Sequence, residues 1–121
     1  MSPKTTSVEF TGSPAFTEFL KGIEKSNPKD IQIAKTWEDK DSARLGYDFG
    51  LLWHALVYVA EAYSVAHMTA DISRYLTTSK EKELRAATPV REIIITVSPN
   101  MTRQEVEQQV KIKLDELFAE T

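Results

Sequence analysis

Gly46 to Leu76 reads GYDFGLLWHALVYVAEAYSVAHMTADISRYL, and the fold turns on whether these residues form one long helix. On a wheel of ~100° per residue, Phe49, Trp53, Leu56 and Ala60 fall on the side that later carries His67, Asp71 and Arg74. The first half of that side is apolar and calls for a cover, either the rest of the fold or another chain; the polar second half can face water. The expected element is a central helix that starts between Ser42 and Asp48, runs to about Leu76 and ends at Thr77-Thr78-Ser79.

Toward the N-terminus, Ser7 to Thr11 reads as a short extended segment. Gly12-Ser13-Pro14 then marks a helix start, with Ser13 as N-cap and Pro14 in the first helical position. Phe16, Phe19, Leu20 and Ile23 give that helix one apolar face, and Asn27-Pro28 stops it. Ile31, Ile33 and Trp37 alternate with Gln32 and Thr36 as in a strand, although Lys35 breaks the alternation and a short helix is the other reading. Glu38-Asp39-Lys40-Asp41-Ser42 is a charged turn.

Toward the C-terminus, Ser79 can cap a short helix through Ala87, and Pro89 forces an extended path. Glu92 to Val97 is a β-branched run, apolar on both faces, as in a central strand covered on both sides. Ser98-Pro99-Asn100 turns the chain, and Thr102 with Glu105 forms a capping box that opens a last helix. Val106, Val110, Leu114 and Leu117 share an arc of about 80° on that helix, while Ile112 points elsewhere. The implied fold is a single compact, helix-rich α+β domain over 1–121, with residues 1–6 flexible. Its order is β-α-β-α-(short α)-β-α, a small sheet of about three strands with a long central helix and a C-terminal helix.

The 121 residues carry 15 Lys and Arg against 18 Asp and Glu, a formal charge of −3, so no cationic excess is available to neutralise phosphates and nucleic-acid binding is disfavoured. Lys80, Lys82, Arg85 and Arg91 are interleaved with Glu81, Glu83 and Glu92 and read as a solvated surface. Without cysteine there is no disulfide framework, thiolate nucleophile or cysteine-based zinc site. The N-terminal residues lack a signal-peptide pattern, and the longest apolar run is well short of the ~20 residues that span a bilayer, so a cytoplasmic protein without a membrane segment is expected.

Four groupings of residues are candidates for function. His54, Tyr58 and Glu61 share one face of the expected helix and interrupt an apolar stripe, as a ligand pocket or a buried hydrogen-bond cluster does. His67 and Asp71, one turn apart beside Ser64 and Arg74, lack a third protein ligand and fit an ion-pair surface, so neither metal nor cofactor is assigned. Gly46, Gly50, Val57, Ala60 and Ser64 form a stripe where another backbone can approach closely. Trp37, Trp53, Tyr47, Tyr58, Tyr63 and Tyr75 fit core or interface anchors better than a base-stacking platform, because no basic groove accompanies them. Neither a P-loop nor a GxSxG nucleophile pattern occurs.

The function expected from these residues is that of a non-enzymatic binding or regulatory protein acting through protein–protein contact. It would form a homo-oligomer through Phe49, Trp53, Leu56 and Ala60 and engage another protein as well. Glu105, Glu107, Asp115, Glu116 and Glu120 on the last helix suit occlusion of a basic partner surface. The alternative is a small-molecule protein, sequestering or catalytic, with its pocket beside His54, Tyr58 and Glu61.

Overall fold

The computed structural model describes residues 5–39, 52–60, 63 and 65–119. Along the chain lie β1 (Thr5–Gly12), α1 (Pro14–Ser26), β2 (Ile31–Asp39), β3 (Leu52–Ala60), α2 (Val65–Thr78), β4 (Glu83–Ala87), β5 (Glu92–Thr96) and α3 (Arg103–Phe118). The strands form one sheet in the order β2-β3-β1-β4-β5, every neighbouring pair antiparallel. β1 and β2 therefore run parallel with β3 between them, and β3 and β4 run parallel with β1 between them. These are two interlocked split β-α-β units, which β5 and α3 extend.

Period-two alternation sorts the side chains to the two faces of the sheet. Val8, Phe10, Ile31, Ala55, Val57, Val59, Leu84, Ala86, Ile93 and Ile95 all face one buried side, where α1 and α3 pack against strands and α2 packs against α3. Helix α1 is held there by Phe16, Leu20 and Ile23. The Ser13 hydroxyl accepts from the Phe16 amide at its start. Phe10, Phe16, Phe19 and Tyr75 then join β1, α1 and α2 in a ring cluster with centroids 4.9–5.8 Å apart. Helix α3 begins at the Thr102–Glu105 capping box and buries Val106, Val110, Leu114 and Leu117.

A buried carboxylate locks the three segments that meet above this cluster. Glu81 is only 5% exposed. It accepts from the Ser13 amide at 2.8 Å, the Ser13 hydroxyl at 2.7 Å and the Tyr75 hydroxyl at 2.5 Å. Negative charge at the start of α1 also complements the positive end of that helix. Burial, then the bond to Glu81, pushes the Tyr75 phenol up to about 12. Next to it, the Lys82 ammonium donates to the Leu76 and Ser79 carbonyls and so satisfies the end of α2. Glu81 and Lys82 are thus structural, a correction to the reading of Lys80 to Arg91 as solvated surface.

The class is α+β as expected, but the three-stranded sheet with a long central helix is wrong: the sheet has five strands and no helix runs from Gly46 to Leu76. Its middle, Leu52 to Ala60, is strand β3, and only Val65 to Thr78 is helical. The physical reason is pairing on both sides, since β3 lies between β1 and β2 and its backbone groups enter two ladders. The expected short helix from Ser79 to Ala87 is also replaced, over Glu83 to Ala87, by β4, whose residues pair with both β1 and β5. Strand β5 is not central. It forms an edge, and Ile94 is 40% exposed. β1 begins at Thr5, inside the segment read as flexible.

Candidate functional site on the open sheet face

The second face of the sheet is crossed by no described helix, as antiparallel sheets allow. Strand register builds a belt across all five strands: Trp37 on β2 lies beside His54 on β3, His54 beside Thr11 on β1, Thr11 beside Arg85 on β4, and Arg85 beside Ile94 on β5. The Trp37 and His54 rings stack with centroids 5.2 Å apart. The Lys35 ammonium sits 5.0 Å from the Trp37 ring centre, a cation–π contact. Leu56 and Tyr58 continue the face along β3, and Tyr58 is 43% exposed.

His54 touches Thr11, Asp39, Glu9 and Trp37 on this face. Its Nε2 lies 3.1 Å from Asp39 Oδ2, and its Nδ1 lies 2.9 Å from Thr11 Oγ1 and 3.8 Å from Glu9 Oε2. In the neutral ring, Nε2–H donates to Asp39 and Nδ1 accepts from the Thr11 hydroxyl; in the cation both nitrogens donate. Hydroxyl, imidazole and carboxylate are in the order of a nucleophile, base and orienting acid. Acyl-transfer catalysis also needs donors for a developing oxyanion. Thr11 and His54 lie on inner strands, so among the described residues their backbone groups are engaged in the ladders rather than free as such donors. These contacts fix the histidine ring against Trp37.

The residues singled out from sequence scatter once β3 is a strand. Trp53 lies on the same side of β3 as buried Ala55, Val57 and Val59, whereas Leu56 and Ala60 lie on the open side, so the three do not form one surface. His54 and Tyr58 share the open face, about 13 Å apart along the extended strand. Phe49, Glu61, Glu120, Gly46, Gly50, Tyr47 and Ser64 lie outside the described residues. His67 stacks on Tyr63, whose hydroxyl donates to Asp71 at 2.5 Å, and Asp71 also pairs with Arg74. Burial first, then the Asp71 carboxylate, hold the Tyr63 phenol well above its ordinary range. An open cleft of about 390 Å³ between α1 and α2 is lined by Phe19, Gly22, Ile23, Ser26, Asn27, Asp71 and Arg74. Asp71 and Arg74 pair with each other there rather than converging on the space.

Glu9, Thr11 and Asp39 were not legible as site residues, and Trp37 was legible only as one of several aromatics fit for a core or an interface. The alternation of Glu9 and Thr11 with Val8 and Phe10 was available as a signal, but which strand would lie beside them was not. Among the described residues no group of three or more His, Asp and Glu side chains could hold a metal ion, and no helix is long and apolar enough to cross a membrane. Comparison with models of known protein families, with curated proteins and with solved structures found no match.

Proposed function

We propose that this chain is a non-enzymatic binding protein that docks a protein partner on the open face of its sheet. The observation that supports it is the fixed aromatic pair Trp37–His54, continued by Leu56 and half-exposed Tyr58 on a face no described helix covers. Large amphipathic rings held by their neighbours make good interface anchors, because little rotamer freedom remains to be lost on binding. The margins define the partner's chemistry. Glu9, Asp39, Glu83 and Glu92 outnumber Lys35 and Arg85 on this face, and the Lys35 ammonium already lies over Trp37. The partner carries an apolar anchor flanked by basic side chains. A nucleic-acid strand is disfavoured by the same charges.

Affinity capture from an extract of the source cells tests this with wild type, Trp37→Ala, Leu56→Asp and, as a surface control, Lys111→Ala on exposed α3. A partner held by wild type and by the control, lost by both face variants and released as salt is raised, supports the reading. A partner held equally by the face variants, or held at any salt concentration, refutes it.

A further inference from the structure

The two edges of the sheet differ. β2 carries a register shift between Ile33 and Lys35, with Ala34 as the extra residue, and such a bulge with a lysine beside it is a common way to blunt an edge. β5 carries no such device. Its sequence, Glu92-Ile93-Ile94-Ile95-Thr96, has high strand propensity and no proline.

The hydrogen-bond phase of β5 follows from its two ends. The Val97 amide donates to the Lys82 carbonyl at 2.9 Å, and the Thr88 amide donates to the Arg91 carbonyl at 2.8 Å. Bonded pairs alternate in an antiparallel ladder, so Arg91, Ile93, Ile95 and Val97 turn their backbone groups toward β4. Glu92, Ile94 and Thr96 turn theirs outward, and among the described residues no partner meets them. Their side chains are also the exposed ones of the strand.

We infer that β5 pairs antiparallel with β5 of a second copy of this chain, about a two-fold axis at Ile94, to join two five-stranded sheets into one. In that register Ile94 forms a bonded pair with the partner's Ile94, Glu92 with the partner's Thr96, and Thr96 with the partner's Glu92. Every outward amide and carbonyl of the strand is then satisfied. The strand is self-complementary, which fits a second copy as the occupant: along the paired strands no like charges face each other, and the two Glu92 residues stand about 13 Å apart, beyond the ~10 Å screening length of ordinary salt. The exposed Ile94 side chains cover each other across the axis. This pairing is independent of what the open face binds, and it would set two such faces side by side in one surface.

Single-cysteine variants read the register directly, because the chain has no other cysteine. Across a bonded antiparallel pair the Cα atoms are about 5.5 Å apart, within the ~4.4–6.8 Å range of disulfides. Ile94→Cys therefore crosslinks to a dimer in a glutathione redox buffer, whereas Thr96→Cys, opposite the partner's Glu92, does not. Light scattering over a concentration series gives twice the 13.7 kDa chain mass for wild type and the single mass for Ile94→Pro and Ile94→Lys. Proline at 94 removes only an outward N–H, so the β4–β5 ladder survives and circular dichroism stays that of wild type. Any of these results overturns the inference: a wild type of single mass at every concentration, a dimer that both folded Ile94 variants leave intact, or equal crosslinking by Thr96→Cys. A wild-type monomer whose Glu92, Ile94 and Thr96 amides gain hydrogen-exchange protection only with a different protein would give the edge another occupant, and would also overturn it.

Discussion

Replacing Glu81 with alanine tests the view that one buried carboxylate holds the β1–α1 turn, the end of α2 and the start of β4 together. The side chain accepts from the Ser13 amide, the Ser13 hydroxyl and the Tyr75 hydroxyl at 2.5–2.8 Å. Hydrogen bonds to a charged group contribute about 1.5–3 kcal/mol each, but these three do not add. The Ser13 and Tyr75 hydroxyls already lie 3.3 Å apart and can bond to each other once the carboxylate is gone. The Ser13 amide is the donor left without a partner, and the lost methylenes leave a small cavity, so Glu81→Ala destabilises by about 3 kcal/mol. For a chain of this length that lowers Tm by about 12 °C, taking roughly 4 °C per kcal/mol. Glu81→Gln keeps the shape and can present its carbonyl to the Ser13 amide while both hydroxyls reorient as acceptors, which limits its loss to about 1 kcal/mol. Urea unfolding followed by circular dichroism measures both, and Tyr75→Phe completes a double-mutant cycle with a coupling of about 1 kcal/mol. An alanine variant within about 0.5 kcal/mol of wild type, the range of ordinary surface changes, refutes the lock.

Gly12→Ala adds a methyl that would meet Leu84 at 2.9 Å, Phe16 at 3.0 Å and the Glu81 carboxylate at 3.2 Å. It should destabilise by about 1–3 kcal/mol in thermal unfolding, as overpacking does. Leu114→Ala should cost about 2–5 kcal/mol through the cavity it leaves, while Ile112→Ala on the exposed side of α3 stays within about 0.5 kcal/mol; equal effects in denaturant titrations would contradict the packing of α3. Tyr75, with its folded phenol raised to about 12 from an ordinary value of 10, binds its proton more tightly when folded. That stability is complete below pH 10 and is lost as pH rises toward 12, because the unfolded chain releases the proton first. Ultraviolet difference titration should show a phenol with its midpoint near 12 that Glu81→Gln moves downward.

The adoption of a strand by Leu52 to Ala60 shows how a local pattern can serve two periods. Leu52, Leu56 and Ala60 match a helical face, yet Ala55, Val57 and Val59 also alternate with His54, Leu56 and Tyr58. An inner strand with apolar residues on both faces satisfies both templates, and only its neighbours choose between them. Glu83 to Ala87 is a similar case: its residues favour helix, and pairing with β1 and β5 overrides that preference.

Local chemistry in the sequence determined the α+β class, the helix starts at Ser13 and Thr102, the buried stripes of α1 and α3, and the absence of any cysteine-based site. Those features act within a few residues, through caps and a 3.6-residue period, so they are legible without a neighbour. Tertiary structure alone decided the five-strand order, the edge position of β5, the burial of Glu81 and the belt from Trp37 through His54 and Thr11 to Arg85. Each of these depends on lateral pairing between distant segments, as where Thr11 meets His54 across 43 positions of chain. A strand's own residues specify which side chains share a face but not which strand will lie beside them.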